Sequence, residues 1–187
     1  TMENYFQAKR RVFTMCKTAV INIDDEYGKR LAQEFSDIAV TYSAEGKADY
    51  HAEFIRMNAT GCSYMLVNER EKTACRVDMN MTGLYNVQNS LCAIAMVTAL
   101  GFDMTECAKA LSDLDGVDGR MNVVYRGDFT VITDYAHTDD ALIKVLSTLK
   151  PLTKGRLICV FGAAGDRDKE KRPMMAREIG RASCRER

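Results

Sequence analysis

A run of charged side chains near the C-terminal end is a strong candidate for a binding site. Gly162 and Gly165 separate this run from an apolar segment, residues 157–161, which predicts a buried strand. In α/β proteins, open backbone amides and helix N-termini meet at the carboxyl end of a strand, so this position favours a site. The alternative is a solvated surface of ion pairs. The run includes Asp166, Arg167, Asp168, Lys169, Lys171 and Arg172.

A second loop of the same type contains Asp134 and His137. It follows a predicted strand over residues 129–133 and precedes a predicted helix over residues 141–149. This strand–loop–helix position makes both residues candidates for ligand binding. The alternative for His137 is a partly buried loop histidine whose ring bonds only to backbone.

Three more polar residues are candidates for binding a nucleotide. Asn86 and Asn89 are three residues apart at the start of a predicted helix, so they face the same way. Their amides donate and accept hydrogen bonds, as the edge of an adenine requires, although an asparagine here could also be a helix N-cap. Arg120 lies in a boundary segment, from which its guanidinium could cross a cleft and bind a phosphate.

Hydrophobic periodicity predicts the elements that position these residues. Residues 1–118 combine a βαβ pattern, which predicts a parallel sheet with helices, with short alternating stretches that predict antiparallel hairpins. Residues 119–178 add two strands, a helix, a third strand and the start of another helix. Predicted strands are residues 18–23, 38–42, 53–58, 63–67, 74–79, 121–125, 129–133 and 157–161; predicted helices are residues 5–13, 26–35, 87–100, 104–114 and 141–149, with one opening near Pro173.

The last residues, 179–187, differ from the rest of the chain. They have no apolar periodicity, and they match the translation of a common sequencing adapter. We therefore predict a non-native tail and leave it out of the fold prediction. Upstream of it, Asn22, Asp24 and Asp25 follow a strand and are interpreted as turn and cap residues.

Composition excludes several partners. The 26 basic and 26 acidic residues cancel, so no long-range field attracts a nucleic acid or an anionic membrane. The longest apolar run, residues 91–102, is too short to span a bilayer. The seven cysteines show neither a C-x-x-C pair nor a zinc-like spacing, which indicates reduced core residues in a cytoplasmic protein.

Six segments in register resemble the Mur ligases. The similarity is greatest to the UDP-N-acetylmuramoyl-tripeptide synthetases, which add the third peptide residue to the bacterial cell-wall precursor. It extends from the first residues to about residue 175. The segments are YFQAKRRVF (5–13), NIDD (22–25), GLYNVQN (83–89), GRM (119–121), DYAHTDDAL (134–142) and VFGAAGDRDKEKRPM (160–174).

The resemblance implies an α/β fold and two partial domains. One is the C-terminal part of a central ATP-binding domain, with a parallel sheet, helices and a small antiparallel β subdomain. The other is the first part of a Rossmann-like C-terminal domain. It also implies that Asn86 and Asn89 lie against the nucleotide base, that Arg120 binds its phosphates, and that Asp134 and His137 contact the ribose and the nucleotide.

Further roles follow from the same resemblance. Lys9 occupies the position of a lysine carbamate, whose anionic oxygens would bind Mg²⁺; without the resemblance, a lysine on a short helix is usually a solvated surface residue. Arg172 would hold a carboxylate of the incoming amino acid, and Asp166 would contribute to the same substrate site. Lys9 and Arg120 are thus the predicted catalytic residues.

The implied reaction is ATP-dependent amide ligation. Phosphoryl transfer to the terminal carboxylate of UDP-N-acetylmuramoyl-alanyl-glutamate gives an acyl phosphate, and the amine of diaminopimelate or lysine attacks it. The chain contains no G-x-x-x-x-G-K-[ST] loop, so we expect that loop upstream and predict that the 187 residues alone are inactive.

Two alternatives stay open. One is a related ligase for another acid, such as a poly-amino-acid or folate-type enzyme. The other is a non-catalytic nucleotide-binding paralogue, because four residues depart from the family motifs. Asn122 replaces a glutamate, Asp139 replaces a proline and removes a fixed φ, and Ala163 and Ala164 replace Cys-Gly.

Overall fold

A mixed five-stranded sheet forms the N-terminal part of the protein. A computed structural model describes residues 1–58, 61–162 and 171–183. The first three strands pair in parallel, and the last two continue the same sheet in antiparallel. The predicted parallel and antiparallel parts are therefore both present, joined where Tyr42 and Ser43 pair with Tyr50 and His51. The strands are β1 (Ala19–Asn22), β2 (Ala39–Ser43), β3 (Tyr50–Asn58), β4 (Gly61–Asn68) and β5 (Thr73–Met79).

The predicted helices are present, with ends that differ by a few residues. Polar side chains cap several of them: Asp25 accepts a hydrogen bond from the Gly28 amide at 2.8 Å, which confirms its predicted role. No helix in the described ranges is both long and apolar enough to cross a membrane. The helices are α1 (Met2–Arg10), followed by a 3₁₀ turn (Arg11–Met15), α2 (Glu26–Glu34), α3 (Leu84–Ala99), α4 (Met104–Ser112), α5 (Asp139–Leu152) and α6 (Lys171–Ser183).

Helix α3 packs against the sheet and forms the centre of the main core. Its side chains Val87, Leu91 and Ile94 are almost fully buried, together with Leu66 of β4 and Val77 of β5. Burial of one such side chain contributes about 1.5–3 kcal/mol. The same core includes residues of α4, so both helices have fixed positions on the sheet.

A polar contact fixes the start of α3 further. Gln88 Nε2 donates to Asp24 Oδ2 at 2.8 Å, and Asp24 also accepts hydrogen bonds from the Ser43 hydroxyl and from the Ala44 amide. Asp24 therefore joins α3 to the ends of β1 and β2, a contact that the turn interpretation of this residue did not include.

The C-terminal part contains a hairpin and two packed helices. The strands β6 (Asn122–Arg126) and β7 (Thr130–Thr133) pair in antiparallel. Leu142 and Leu146 of α5 bury their side chains against Met175 of α6. Ile179 and Ala182 pack against the same cluster, so α6 continues into the predicted tail. Whether residues 179–187 are native stays a prediction.

The predicted buried strand over residues 157–161 is wrong. These residues form no strand with any described part of the chain, and Ile158 and Val160 are 70% and 97% exposed. Leu157 and Cys159 alone pack against the α5–α6 cluster. A strand requires a neighbour for its backbone groups, and an apolar sequence does not supply one.

Candidate functional site

A cleft of about 660 Å³ separates the start of α3 from the loop between β7 and α5. Its volume lies in the range of ligand pockets, roughly 300–1,000 Å³. Apolar side chains such as Met81, Leu111 and Leu114 form part of its wall. Polar side chains reach it from both the N-terminal and the C-terminal parts. They include all five predicted nucleotide residues: Asn86, Asn89, Arg120, Asp134 and His137.

The two asparagines lie on the first two turns of α3. The helix begins after Gly83, which is its N-cap, so the alternative that Asn86 is a cap is wrong. Asn86 is 5% exposed and donates from Nδ2 to the Thr82 carbonyl at 2.8 Å. Asn89 is exposed in the cleft. The Asn86 amide is therefore held by the backbone, whereas the Asn89 amide is open to a ligand.

Arg120 enters the cleft from the segment that joins the two parts. Its guanidinium carbon lies 5.0 Å from the centroid of the Tyr135 ring, which is a cation–π contact. The next residue, Met121, has a left-handed backbone with φ of 46°. Asp134 Oδ2 accepts a hydrogen bond from the Met121 amide at 2.9 Å and thereby fixes this turn beside the arginine.

Asp134 has a structural function in addition to its predicted one. Its second oxygen, Oδ1, accepts from the Ala136 amide at 2.8 Å. The carboxylate thus links the Arg120 segment to the loop after β7. Each carboxylate oxygen has more than one acceptor site, so these bonds still permit contact with a ribose hydroxyl. This link could not be predicted from sequence, because its two partners are backbone groups.

His137 is exposed beside the Arg120–Tyr135 contact. Its Nδ1 lies 2.9 Å from the Tyr135 carbonyl, and its ring meets the Tyr135 ring edge-on at 4.9 Å. A carbonyl only accepts, so Nδ1 carries the proton and Nε2 is the acceptor in the neutral ring. The backbone contact of the alternative interpretation is present, but the ring is exposed rather than partly buried.

Two of the motif departures are accommodated locally. Asn122 donates to Asp118 at 3.2 Å. Asp139 is the first residue of α5, directly after the Thr138 cap. A carboxylate there is stabilised by the positive end of the helix dipole, and proline is also common at this position. The other two departures, Ala163 and Ala164, lie outside the described residues.

Two predicted site residues of the described ranges are not among those that line the cleft, and a third is not described. Lys9 is exposed on α1, with Nζ 5.5 Å from the Tyr5 ring centroid. Arg172 lies in the first turn of α6 and is partly buried. Asp166 lies outside the described residues. The roles of all three stay predictions.

Two tyrosines of the cleft were missed by the sequence interpretation. Tyr85 and Tyr135 both line it, and each is directly beside a predicted site residue. Their position in the sequence could have identified them, because both lie inside matched motifs, GLYNVQN and DYAHTDDAL. An aromatic residue at such a place is as readily explained by packing, so the sequence alone did not single them out.

Sequence models of two domains match the chain. Residues 1–97 match the Mur ligase middle domain, and residues 119–185 match the glutamate ligase domain of the Mur ligases. The chain belongs to the Mur ligase family. The cleft described above lies where the two matched segments meet.

Curated Mur ligases resemble the chain closely. The UDP-N-acetylmuramoyl-L-alanyl-D-glutamate–2,6-diaminopimelate ligase 1 of Clostridium acetobutylicum is 42% identical over 183 residues, which are 96% of this chain and 37% of that protein. The corresponding ligase of Streptomyces coelicolor is 39% identical over 186 residues, or 96% of this chain and 36% of its own length. The chain therefore spans little more than a third of these relatives.

Solved structures of other proteins have the same fold. A UDP-N-acetylmuramoyl-L-alanyl-D-glutamate–2,6-diaminopimelate ligase matches with a TM-score of 0.70 at 34% identity, covering 98% of this chain and 39% of that one. The folylpolyglutamate synthetase of Lactobacillus casei matches with a TM-score of 0.73 at 13% identity, covering 98% and 46%. At that identity the second match shows the fold alone.

Proposed function

We propose that the chain is part of an ATP-dependent ligase that adds diaminopimelate to UDP-N-acetylmuramoyl-L-alanyl-D-glutamate during peptidoglycan synthesis in the cytoplasm. The observation that carries this proposal is that Asn86, Asn89, Arg120, Asp134 and His137 line one cleft. The names of the similar proteins support diaminopimelate over lysine as the incoming amino acid.

The composition of the cleft suits a nucleotide triphosphate. Apolar side chains offer a surface for a base, and Asn86 and Asn89 offer donors and acceptors to its edge. Arg120 lines the other wall of the cleft, and its guanidinium is well suited to bind a phosphate through two parallel hydrogen bonds. ATP supplies the phosphoryl group that makes a carboxylate reactive toward an amine. The residues described here orient that nucleotide and offset its negative charge.

A Mg²⁺ site is less well supported. The described ranges hold no cluster of three histidine, cysteine, aspartate or glutamate residues that could bind a metal. Lys9 lies on an exposed helix face, outside the lining of the cleft. The described residues therefore offer no preformed cluster of metal ligands, and we derive no step through a metal. A carbamate on Lys9 stays part of the proposal on the strength of the YFQAKRRVF motif alone.

The structure gives no specific support to a non-catalytic paralogue. The departures at Asn122 and Asp139 are satisfied by a hydrogen bond and a helix start, and the cleft beside them retains its polar residues. The substrate site for the amino acid is proposed to include Arg172 and Asp166. Nucleic acids and membranes are not among the proposed partners.

We expect the 187-residue chain alone to show no ATP-dependent phosphate release with UDP-N-acetylmuramoyl-L-alanyl-D-glutamate and diaminopimelate. The reason is that it contains no G-x-x-x-x-G-K-[ST] loop to hold the triphosphate. The same residues within a protein of the relatives' full length are expected to release phosphate, and more slowly with lysine. Turnover by the isolated chain would contradict the expectation that an upstream phosphate loop is required. Failure of the full-length protein with every amino acid would contradict the ligase.

A further inference from the structure

Arg120 lies in a turn whose backbone conformation is unfavourable. Met121, the next residue, has φ of 46°, in the left-handed region that residues other than glycine rarely adopt. Within the turn, the Arg120 amide donates a hydrogen bond to the Val117 carbonyl at 2.9 Å. Two glycines with positive φ, Gly116 and Gly119, allow the chain to reach this geometry. A strained backbone of this type persists only where the surrounding structure holds it.

Asp134 supplies the contact that holds this turn from outside. Its Oδ2 accepts a hydrogen bond from the Met121 amide at 2.9 Å. Its Oδ1 accepts from the Ala136 amide at 2.8 Å, which fixes the direction of the carboxylate within its own loop. Hydrogen bonds to a charged acceptor are roughly twice as strong as neutral ones. The carboxylate therefore joins the turn of Arg120 firmly to the loop after β7.

The same loop also supports the guanidinium. Tyr135 directly follows Asp134, and the centroid of its ring lies 5.0 Å from Arg120 Cζ. The backbone bond and the ring contact thus hold the arginine at both ends, beside its Cα and at its guanidinium. A shift of the turn relative to the loop would break the ring contact and leave a long, exposed side chain free to rotate.

The charge of Asp134 alone would oppose phosphate binding. Its carboxylate lines the same cleft as Arg120, and a negative charge there repels a polyphosphate. If charge were its only effect, removal of the carboxylate would strengthen polyphosphate binding. If Asp134 acts through the arginine, its removal weakens that binding. The sign of the change therefore distinguishes the two.

We propose that Asp134 is a positioning residue for Arg120, and that its bond to the Met121 amide holds the turn from which the guanidinium reaches the phosphates of a nucleotide. This inference rests on the proposed nucleotide site. It goes beyond the ribose contact that the family resemblance implies for Asp134. The two roles are separable, because an inorganic polyphosphate contains no ribose.

The test is a calorimetric titration with tripolyphosphate, at fixed, low salt, of a protein of the relatives' full length. Asp134→Ala removes both hydrogen bonds, and we expect it to bind tripolyphosphate about 2- to 10-fold more weakly, the usual effect of leaving one long side chain to be ordered on binding. In the Arg120→Ala background the same substitution should no longer weaken binding, because the group that Asp134 positions is absent.

Asp134→Asn gives a second, milder variant. Its amide can accept through one oxygen only, so at least one of the two backbone bonds is lost. We expect its affinity for tripolyphosphate to lie between those of the unaltered protein and the Asp134→Ala variant. Since it retains the size of the side chain, it carries the same test if the alanine variant does not fold.

Asp118→Ala is the matched control. Asp118 lies in the same turn as Arg120 and accepts a hydrogen bond from Asn122 at 3.2 Å, but it does not line the cleft. Its replacement removes the same charge and should leave tripolyphosphate affinity unchanged or slightly stronger. A loss equal to that of Asp134→Ala would overturn the inference, since it would show that any disturbance of the turn has this effect.

The remaining outcomes separate the inference from the site. Unchanged or tighter binding of tripolyphosphate by the Asp134 variants would overturn the inference and leave the nucleotide site intact. An equal loss with and without Arg120 would also overturn it, because the effect would then not pass through the arginine. If Arg120→Ala alone leaves tripolyphosphate affinity unchanged, the proposed phosphate contact fails and the inference fails with it.

Discussion

Replacement of Arg120 by alanine is expected to weaken ATP binding about 10- to 150-fold. Hydrogen bonds to charged groups contribute about 1.5–3 kcal/mol each, and the Arg120 guanidinium is the proposed phosphate-binding group of a cleft that Lys144 also lines. Its contact with the Tyr135 ring leaves its N–H donors available to a ligand. Calorimetric titration with ATP at fixed, low salt measures the effect in a protein of the relatives' full length, where the expected phosphate loop is present.

Three controls make this result specific. Arg126→Ala removes the same charge from β6, outside the cleft, and should leave ATP affinity almost unchanged. Arg120→Lys retains the charge but not the fork of donors, so its loss should be intermediate. Adenosine has no phosphate and should bind equally to all variants. An equal loss in the Arg126 and Arg120 variants would show that net charge, rather than the cleft, determines affinity.

Replacement of Gly28 by alanine is expected to destabilise the fold by about 3 kcal/mol or more. Gly28 lies in α2, where a Cβ would come within 1.7 Å of the Asn22 carbonyl oxygen at the end of β1. The Asn22 oxygen belongs to the backbone and the Cβ would be held rigidly by the helix backbone, so the helix would have to move away from the sheet. Thermal unfolding followed by circular dichroism should show a clear fall in melting temperature.

Gly180→Ala provides the matched control. Gly180 is also helical, in α6, but a Cβ there meets no atom within 4 Å. Alanine exceeds glycine in helix propensity by about 0.5–1 kcal/mol, so this variant should be unchanged or slightly more stable. A similar fall in both variants would indicate a general effect of the substitution and would contradict the close contact of α2 with β1.

The part of the site that could be predicted from sequence is the part that depends on local motifs. Asn86 and Asn89 share a helix face because of their spacing alone, and Asp134 and His137 are placed by a strand–loop–helix pattern. Their meeting with Arg120 in one cleft followed only from the family resemblance, since no local pattern relates segments so far apart in the chain. The structure shows the same five residues together.

Other features depend on long-range contacts, and the sequence could not indicate them. The bond from Asp134 to the Met121 amide, and the bond from Gln88 to Asp24, join groups that have no fixed spacing. For residues 157–161 the sequence predicted a strand that the structure does not contain. Their apolar composition was correct for a strand, but strand formation depends on a pairing neighbour, which an isolated pattern does not reveal.

The most direct test of a nucleotide cleft between the two matched segments is a titration with ADP of a ¹⁵N-labelled protein of the relatives' full length, followed by NMR. We predict that the side-chain amide signals of Asn86 and Asn89 shift together with the backbone signals of Arg120 and residues 134–137, with one common affinity. Shifts on only one of the two walls, or none at either wall, would contradict the account.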